Sequence, residues 1–470
     1  MRKTKIIATL GPATDQPGVL EEIISAGVNI LRFNMSHSDH ATHAQRMQQV
    51  RGLREKLKLP IAALLDTKGP EIRTGLFPHP VTLSEGQQFT LTTRTAEGSE
   101  KGCSVTYAGL PGDIRPGCRV LIDDGLVELR VESVADTDII CTVVNGGTVT
   151  SSKGINCPEV HFSMPYLSEK DKSDLAFGKE QDFDYIAASF VRNADDIHVL
   201  RAELERIGWT DVRVIAKIEN AEGVARMDEI IEAADGIMIA RGDMGVEVAI
   251  EELPVIQKEL IKRTVSQGKQ VITATQMLES MIHNTLPTRA EVNDVANAIY
   301  DGTSAIMLSG ETAAGKHPVE SVKMMSRIAL RTESDIDYGK RFHNLPIEIC
   351  GEITTAISHA TVMTAHELEA ATIVTVTESG FTARMVSRYR PICPVIAGTP
   401  NEKVWRQLNL LFGVQPRLID EKYNTDQLLA EAVELARTSG LAGEGDRIVI
   451  TAGVPLGETG TTNLLKVQEL

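Results

Sequence analysis

Two carboxylates carry the strongest chemical signal in the sequence. Glu219 in AKIEN and Asp243 in ARGDMG both stand at the ends of short aliphatic runs of strand length. Mg²⁺ is a hard cation that proteins usually hold with one or two carboxylates, while waters and substrate phosphate oxygens fill the other positions. Either carboxylate alone is more simply explained as half of a structural ion pair. Together at the ends of neighbouring strands, they predict a Mg²⁺ site.

Lys217 stands two residues before Glu219, so in a strand both side chains point to the same side. A lysine inside a protein is costly unless it is paired. Beside Mg²⁺ its charge suits stabilisation of a migrating phosphoryl group or an enolate. The competing role is a Schiff-base lysine, as in aldolases. The neighbouring metal site argues against that role, because the carbonyl would then be polarised twice.

A possible anion site follows the same strand. Gly242 and Asp243 are predicted to come just before a short helical turn, where backbone N–H groups attract an anion. A substrate carboxylate fits there, with the Thr275 hydroxyl closing the site. The alternative is a purely structural glycine turn.

Three cations are candidate phosphate clamps, although each alone is more often a solvated surface charge. They are Arg32, Arg73 and Lys153.

A second cluster offers only oxygen ligands and one formal negative charge. It consists of Asn34, Ser36, Asp66 and Thr67. Such a weakly charged set suits a monovalent cation better than zinc or calcium. The spacing is equally compatible with turn and cap residues.

Eight aliphatic runs must position these side chains, and turns and helix-length amphipathic segments separate most of them. They are KIIATLG (5–11), ILRFN (30–34), AALLDTK (62–68), YIAASFV (185–191), VIAKIEN (214–220), GIMIARGD (236–243), QVITATQ (270–276) and AIMLSGE (305–311). Alternating strands and helices build parallel sheets. In a (β/α)₈ barrel the carboxyl ends of all strands share one face, and that face carries the active site. The sequence therefore predicts an α/β fold with a (β/α)₈ TIM barrel and one pocket.

Two further domains are predicted. Residues 70–165 alternate apolar and polar positions between Gly, Pro and Asp turns, which predicts an inserted antiparallel β-barrel domain beside the active-site face, able to act as a lid. Residues 346–470 predict a C-terminal open-sheet α/β domain with a terminal strand near LLKVQEL. Residues 1–69 and 166–345 then form the barrel.

Composition excludes several classes of protein. The formal net charge of −16 disfavours a nucleic-acid surface. No apolar stretch approaches the ~20 residues that span a bilayer, and the first apolar run is too short for a signal peptide. Six scattered cysteines form no zinc motif and are expected to be reduced. We expect a cytoplasmic protein with neither nucleic-acid nor membrane partners.

The quoted motifs together resemble the pyruvate kinase family. The most specific are LLDTKGPEIRTG, IMIARGDMGVE, VITATQMLESM, PTRAEVNDVANAIYDGTSAIMLSGETAAGKHP and the terminal GETGTTN. The resemblance covers the chain from KTKIIATLGPAT onward, and Glu71 in KGPEIR matches the bacterial form that requires K⁺. It implies transfer of phosphoryl from phosphoenolpyruvate to ADP, giving pyruvate and ATP as the final step of glycolysis. Mg²⁺, for which Mn²⁺ can substitute, and K⁺ are the implied cofactors.

The resemblance also implies roles for individual residues. Lys217 stabilises the transferring phosphoryl group, and Glu219 and Asp243 bind Mg²⁺. The implied substrate ligands are Arg32, Lys217, Gly242, Asp243 and Thr275. The implied nucleotide ligands are Asn34, Met35, Ser36, His37, Arg73 and Lys153. The implied K⁺ ligands are Asn34, Ser36, Asp66 and Thr67. Thr275, Ser309 and a bound water remain alternative proton donors to the enolate.

The C-terminal domain resembles the family's allosteric domain, in which a loop binds a sugar phosphate. In the corresponding loop here, VTESGFTAR, the candidate phosphate ligands are Thr377, Ser379, Gly380 and Thr382. Glu378 and Phe381 stand where members that respond to fructose 1,6-bisphosphate often carry basic residues, and Glu458 adds a negative charge. We therefore expect a monophosphate effector, AMP or a sugar monophosphate such as ribose 5-phosphate. The resemblance also implies a homotetramer.

Two other functions are compatible with parts of the pattern. A metal-dependent aldolase or lyase acting on an α-keto acid would also use Mg²⁺ and an enolate, but it has no need of the inserted domain, Lys153 or the K⁺ cluster. A non-catalytic metabolite-binding regulator could keep the fold. That alternative leaves the intact catalytic positions unexplained.

Overall fold

A computed structural model describes residues 1–158, 160–345, 351–422, 424–456 and 460–470. The first residues assigned by sequence to the C-terminal domain, 346–350, lie outside the described residues, and so does Glu458. Among the described helices, none combines the length and the apolar character needed to cross a membrane.

The chain begins with three strands of a barrel, each fully or largely buried and alternating with helices. These elements are β1 (Lys5–Thr9), α1 (Val19–Ser25), β2 (Ile30–Asn34), α2 (His40–Leu57) and β3 (Ala62–Asp66).

An all-β insertion follows. It contains β4 (Ile72–Arg73), β5 (Val81–Leu83), β6 (Gln88–Thr92), β7 (Gly102–Ser104), α3 (Leu110–Asp113), β8 (Arg119–Ile122), β9 (Val127–Val134), β10 (Asp138–Asn145), β11 (Gly147–Val149) and β12 (Gly154–Asn156). Hydrogen bonds group the strands into a seven-stranded sheet, β4-β12-β8-β9-β10-β6-β7, and a separate pair, β11-β5. The prediction of purely antiparallel pairing was wrong at one place, because β6 and β7 run parallel.

The chain then completes the barrel. The elements are α4 (Glu169–Glu180), β13 (Tyr185–Ala188), α5 (Ala194–Arg206), β14 (Arg213–Ile218), α6 (Ala221–Ala225), α7 (Met227–Ala233), β15 (Gly236–Ala240), α8 (Arg241–Glu247), α9 (Leu253–Ser266), β16 (Gln270–Ala274), a 3₁₀ turn (Glu279–Ile282), α10 (Arg289–Asp301), β17 (Ala305–Leu308), α11 (Gly310–Ala313), α12 (Pro318–Glu333) and α13 (Tyr338–His343).

Eight parallel strands close into a ring in the order β1-β17-β16-β15-β14-β13-β3-β2. The predicted (β/α)₈ barrel is thereby confirmed. Inward side chains such as Ile7, Leu64, Ile215 and Met307 form one apolar cluster inside the barrel. Because side chains alternate along each strand, the inward positions nearer the carboxyl ends fall to polar residues.

The junction between β3 and the insertion is built tightly around Gly69. Its φ of 71° is left-handed, and an added Cβ would lie 2.9 Å from Ser189 Cβ and from Ser189 O. The Gly69 N–H donates to the buried Asp171 carboxylate, which also takes part in the capping box of α4 with Ser168. A residue with a side chain would both strain the turn and collide with the strand-end segment beside the site.

The C-terminal part forms a second, open sheet. Its elements are α14 (Ile353–Glu367), β18 (Thr372–Val376), α15 (Phe381–Ser387), β19 (Val395–Thr399), α16 (Glu402–Gln407), a 3₁₀ turn (Leu408–Leu410), β20 (Val414–Leu418), α17 (Thr425–Thr438), β21 (Arg447–Ala452) and β22 (Leu464–Glu469). The strand order is β20-β19-β18-β21-β22, and only β21–β22 is antiparallel. The open-sheet domain and its terminal strand agree with the prediction.

This C-terminal part packs against the amino-terminal end of the barrel. Leu410 joins the apolar cluster in the barrel interior. Lys5 Nζ donates to the Val414 carbonyl at 2.6 Å, and the Tyr185 hydroxyl donates to the Gln407 carbonyl. The active-site face therefore lies at the opposite end of the barrel.

A buried carboxylate connects the two parts, and it yields a stability prediction. Asp184 accepts from Arg406 Nε at 2.7 Å, Arg54 Nη2 at 3.1 Å and the Ala63 N–H at 2.8 Å. Arg406→Met removes the closest cation from a carboxylate that has no solvent exposure. Because an uncompensated buried charge is costly, we expect a loss of about 3 kcal/mol of stability, measured by calorimetric unfolding.

Arg206→Met provides the matched control, because its pair with Glu203 involves a side chain that is 66% exposed. The control should change stability by no more than about 0.5 kcal/mol. Equal effects from the two variants would contradict the structural role of the Asp184 network.

Candidate active site

Lys217 lies at the centre of the polar layer near the carboxyl ends of the barrel strands. Its Nζ is 2.8 Å from Glu219 Oε1 and 3.2 Å from Asp66 Oδ1, and it donates to Ser189 Oγ at 2.8 Å. Burial alone would lower the pKa of the Lys217 ammonium, but the two carboxylates outweigh burial and raise it. A lysine that stays protonated is a poor Schiff-base nucleophile. The environment therefore favours an electrostatic role.

Glu219 is completely buried and only partly satisfied. Its Oε2 accepts from the Phe190 N–H at 2.6 Å. Its Oε1 is in ion-pair contact with Lys217, yet within the described residues it accepts no hydrogen bond. Burial and the nearby Asp243 raise the pKa of Glu219 to about 7, against the lowering effect of Lys217. Because Oε1 accepts no hydrogen bond from the described residues, it could serve as a ligand for a divalent cation.

Asp243 lies in the first turn of α8 and borders the cleft between the insertion and the barrel. Its charge contributes, after burial, to raising the pKa of Glu219. No hydrogen bond or ion pair to the Asp243 side chain occurs in the described structure. Nowhere in the described ranges do three or more His, Cys, Asp or Glu side chains form a ready-made metal cage. Glu219 and Asp243 therefore fit a cation that takes its remaining ligands from substrate and water, as Mg²⁺ does.

The Gly242–Thr275 arrangement differs from the prediction in one respect. Gly242 and Asp243 do not precede a helical turn but belong to the first turn of α8. The Gly242 N–H donates to Thr275 Oγ1 at 2.8 Å, and this hydroxyl donates to the Ala274 carbonyl at 2.6 Å. The first-turn N–H groups of a helix lack intrahelical partners. Those beyond Gly242 remain the donors available to an anion.

Arg241 holds this region in place, a role that was not predicted from the sequence. Its guanidinium donates to the Ala274 carbonyl at 3.2 Å, to the Thr275 carbonyl at 2.7 Å and to Asp294 Oδ1 at 2.7 Å. Thr275 has a φ of 67°, which is strained for a β-branched residue. A charged residue at the end of a buried strand was the only sequence signal for this clamp.

Ser189 and Phe190 were predicted to continue a strand, but β13 ends at Ala188. Phe190 has a φ of 54°, so the chain turns there. This turn directs the Phe190 N–H to Glu219, while the Ser189 hydroxyl donates to Asp66 Oδ1 at 3.1 Å. The turn thus contributes two groups that position the charged cluster.

Arg32 and the predicted K⁺ ligands lie on the neighbouring strands. Arg32 Nε donates to Asp66 Oδ2 at 2.5 Å, so Asp66 lies between two cations, Arg32 and Lys217. These cations overcome burial and lower the pKa of Asp66. Asn34 pairs directly with Asp66 across β2 and β3, and Thr67 follows as a buried residue. Asn34, Asp66 and Thr67 are therefore neighbours, and the one charge among the predicted K⁺ ligands is already offset.

The residues that follow β2 differ in their exposure to solvent. The Asn34 side-chain oxygen accepts from the Ser36 N–H at 3.0 Å, and both Ser36 and His37 are exposed. Met35 is only 1% exposed and packs in the barrel's outer core. Its side chain does not line the cleft, its N–H donates to the Asp66 carbonyl at 2.9 Å, and its carbonyl accepts from Lys170 Nζ at 2.9 Å.

The remaining predicted nucleotide ligands line a cleft between the insertion and the barrel. Arg73 forms two hydrogen bonds of 2.7 Å to Glu71, and Lys153 Nζ is 2.9 Å from Asp123 Oδ1. Both cations and Asp243 border the same space of about 590 Å³. A space of this volume accommodates a nucleotide-sized ligand.

Three of the candidate effector residues lie in the turn between β18 and α15, and Thr382 lies in the first turn of α15. Thr377, Ser379 and Thr382 line a surface cavity of about 270 Å³ in the C-terminal part. Gly380, with a φ of 78°, instead lines a second cavity on the barrel side of the turn. The structure therefore brings together three of the four residues.

The chain is similar to known proteins along almost its whole length. A family profile described as "Pyruvate kinase, barrel domain" matches residues 1–322, and one described as "Pyruvate kinase, alpha/beta domain" matches residues 355–468. The chain is 48% identical over 470 residues to a protein named pyruvate kinase from Clostridium acetobutylicum, covering 100% of this chain and 99% of that protein. A Geobacillus stearothermophilus pyruvate kinase is 49% identical over 469 residues, covering 99% of this chain and 80% of the relative. One from Clostridium perfringens is 45% identical over 474 residues and covers 100% of both.

Proposed function

Because the chain belongs to the pyruvate kinase family and is a phosphotransferase, we propose that it transfers the phosphoryl group of phosphoenolpyruvate to ADP, giving pyruvate and ATP as the last step of glycolysis. The observation that carries the proposal is the buried cluster of Lys217, Glu219 and Asp66, with Asp243 beside it. In this cluster the protonated Lys217 lies next to carboxylates that can still bind a metal ion. Phosphoryl transfer needs this combination of positioning and charge stabilisation.

Glu219 and Asp243 would hold Mg²⁺, or Mn²⁺ in its place, which supplies Lewis-acid stabilisation of phosphoryl and enolate oxygens. Lys217 contributes its protonated Nζ to the same developing charge. Arg32 contacts the phosphate of the substrate. The backbone N–H groups at the start of α8, together with Thr275, orient the substrate carboxylate.

Protonation of the enolate at C3 has three candidate donors, which are Thr275, Ser309 and a bound water. Thr275 Oγ1 already accepts from Gly242 and donates to Ala274. Ser309 Oγ is buried and has no hydrogen-bond partner within the described residues. This difference favours the Ser309 hydroxyl over that of Thr275.

In this proposal the nucleotide is contacted by Arg73, Lys153 and the exposed segment around Ser36 and His37. The insertion, residues 70–165, acts as a lid on the barrel formed by residues 1–69 and 166–345. Arg73 and Lys153 are both paired with carboxylates at the cleft. An incoming diphosphate would compete for those partners. Residues 346–470 then serve as the regulatory domain.

We expect the activity to depend on K⁺. Asn34, Ser36, Asp66 and Thr67 present oxygen ligands whose single charge is offset by Arg32 and Lys217, which suits a weakly hydrated monovalent ion. Replacing K⁺ by tetramethylammonium at constant ionic strength should lower the rate severalfold. The rate should return on adding K⁺, whereas full activity in tetramethylammonium would contradict the assigned site.

A monophosphate effector, AMP or a sugar monophosphate, is proposed for the cavity beside Thr377, Ser379 and Thr382. Glu378, Asp420 and Glu421 line the same cavity, and Lys422 is already paired with Glu431 at 2.8 Å. The acidic lining disfavours a bisphosphate. Screening phosphorylated metabolites against the rate at low phosphoenolpyruvate tests this assignment, and analytical ultracentrifugation tests the proposed homotetramer.

A coupled assay separates this function from an aldolase or lyase acting on an α-keto acid. Pyruvate formed from phosphoenolpyruvate is followed through lactate dehydrogenase with Mg²⁺ and K⁺ present. The proposal expects pyruvate only when ADP is added. Absence of ADP-dependent pyruvate would defeat it.

A further inference from the structure

A side-chain hydrogen bond crosses the cleft between the insertion and the barrel. Asn156 Nδ2, in β12 of the insertion, donates to Glu247 Oε1 at 2.9 Å, and Glu247 is the last residue of α8 in the barrel. Both residues are half-buried, and both border the cleft of about 590 Å³. The contact therefore joins the two parts inside the cleft itself.

On the insertion side, the Asn156 strand also positions the two cations of the cleft. Gly154 of β12 pairs with Arg73 of β4. Lys153 comes directly before β12, and its carbonyl accepts from the Thr74 N–H at 2.8 Å. Because strand pairing connects these residues rigidly, a contact that fixes Asn156 also fixes the backbone of Arg73 and Lys153.

On the barrel side, Glu247 lies one helical turn after Asp243. Residues four apart in an α-helix lie on the same face, and both of these carboxylates border the cleft. The start of α8 is held in place by Arg241, which donates to the carbonyls of Ala274 and Thr275. A contact to Glu247 therefore sets the position of the insertion relative to the helix that carries Asp243.

The turn that follows β8 comes close to the same end of α8. A Cβ added to Gly125 would lie 3.8 Å from Val246 Cγ1, which is ordinary van der Waals contact. The neighbouring Asp124 and the barrel residue Asp243 border the cleft from its two sides, and like charges repel each other. The hydrogen bond from Asn156 is an attractive contact that opposes this repulsion.

The electrostatics of Glu247 agree with this role for the amide. Burial raises the pKa of the Glu247 carboxyl, the hydrogen bond from Asn156 lowers it, and the charge of Asp243 raises it further. The amide is thus the neighbour that favours the charged form of Glu247. Hydrogen bonds to an ionised acceptor are stronger than those between neutral groups.

We propose that Asn156 and Glu247 are positioning residues for phosphoryl transfer, because their hydrogen bond holds strands β4 and β12 at the distance from α8 at which ADP meets the phosphoryl group. This inference rests on the proposed function and adds two residues that need not touch a reactant. Misplacement of reacting groups by about 1 Å can cost about 10²-fold in rate. One hydrogen bond that sets the width of the cleft is therefore enough to control the reaction.

The variant Asn156→Asp places a second carboxylate against Glu247. We expect kcat/KM for ADP to fall about 10²-fold, because repulsion moves the nucleotide-binding strands away from α8. The affinity for phosphoenolpyruvate, measured by equilibrium titration, should stay unchanged because Arg32 and Thr275 keep their positions. Gln88→Glu is the control, since it adds the same charge at an exposed position of the insertion, and it should behave as the parent.

The combination of Asn156→Asp with Glu247→Gln exchanges the carboxylate and the amide between the two positions. The glutamine amide can then donate to the aspartate, which restores the hydrogen bond in the opposite direction. We expect this double variant to recover at least about tenfold of the lost kcat/KM, the coupling typical of two residues in contact. Glu247→Gln alone keeps an acceptor oxygen for Asn156 and should have a much smaller effect than Asn156→Asp.

Two kinetic results would overturn the proposal. One is an Asn156→Asp enzyme with the kcat/KM for ADP of the parent. The other is a folded double variant that is as slow as Asn156→Asp, because the exchanged hydrogen bond would then have no effect. Thermal unfolding of each variant shows whether it is folded.

Amide hydrogen exchange tests the contact without turnover, on the full chain and in the absence of nucleotide. Asn156→Asp should speed exchange in peptides that cover β12 and the end of α8, and the double variant should reverse this change. Equal exchange in Asn156→Asp and an active parent would overturn this inference alone. A parent that forms no ADP-dependent pyruvate would defeat the proposed function and this inference with it.

Discussion

Replacing Lys217 with methionine is expected to lower turnover by about 10³-fold, the upper range for loss of one electrostatic group at a developing oxyanion. The side chain of methionine keeps much of the packing but cannot offset charge on the phosphoryl group or the enolate. Phosphoenolpyruvate should still bind, because Arg32, Thr275 and the first turn of α8 remain. Steady-state kinetics and equilibrium binding measure the two effects separately.

The Lys217 variant also leaves Asp66 and Glu219 without a shared cation, so folding must be checked by circular dichroism and thermal unfolding. Lys258→Met is the matched control, because that lysine is 58% exposed and pairs with Asp301 outside the cluster. The control should retain full turnover. A Lys217→Met enzyme that is folded and as fast as the parent would refute the assigned role.

Replacing Asp243 with asparagine is expected to raise the Mg²⁺ concentration needed for half-maximal activity at least about 100-fold, the upper end of the loss typical even for outer-shell partners of a metal. Asparagine is nearly isosteric, and no hydrogen bond or ion pair to the Asp243 side chain is present in the described structure. The change therefore removes charge while preserving the surrounding contacts. Titration of activity and of Mn²⁺ electron paramagnetic resonance both report the affinity.

Asp228→Asn is the control for this experiment, since Asp228 is 66% exposed and pairs with Arg263 on the barrel surface. It should leave the Mg²⁺ requirement unchanged. If Asp243 binds the metal, Asp243→Asn should weaken Mg²⁺ binding without lowering the stability of the protein. Equal Mg²⁺ dependence in Asp243→Asn and the parent would remove Asp243 from the metal site.

The barrel was predictable because each strand is a short aliphatic run and most of these runs end in polar residues. Glu219 and Asp243 were grouped from sequence for the same reason, since adjacent parallel strands deliver their carboxyl ends to one face. The link between Lys217 and Asp66 was not predictable. Their sequence motifs predict two different cation sites, while the barrel brings the two side chains into the same layer, with Lys217 Nζ 3.2 Å from Asp66 Oδ1.

Backbone turns account for what the sequence did not reveal. The left-handed conformations of Phe190 and Thr275 are unusual for such residues, and they aim an N–H and a hydroxyl at the site. Arg241 clamps the second of these turns through carbonyl contacts that leave no sequence pattern. The parallel pairing of β6 with β7 likewise depends on contacts between strands, which alternation along the chain does not encode.

Direct observation of the transferred phosphorus tests the central claim. The reaction of phosphoenolpyruvate with ADP, Mg²⁺ and K⁺ is followed by ³¹P nuclear magnetic resonance. The account predicts that the phosphoenolpyruvate signal is replaced by the γ-phosphate signal of ATP in equal amount, and that Lys217→Met slows this conversion. The account would be contradicted if the phosphorus were released as inorganic phosphate, or if phosphoenolpyruvate were consumed without formation of ATP.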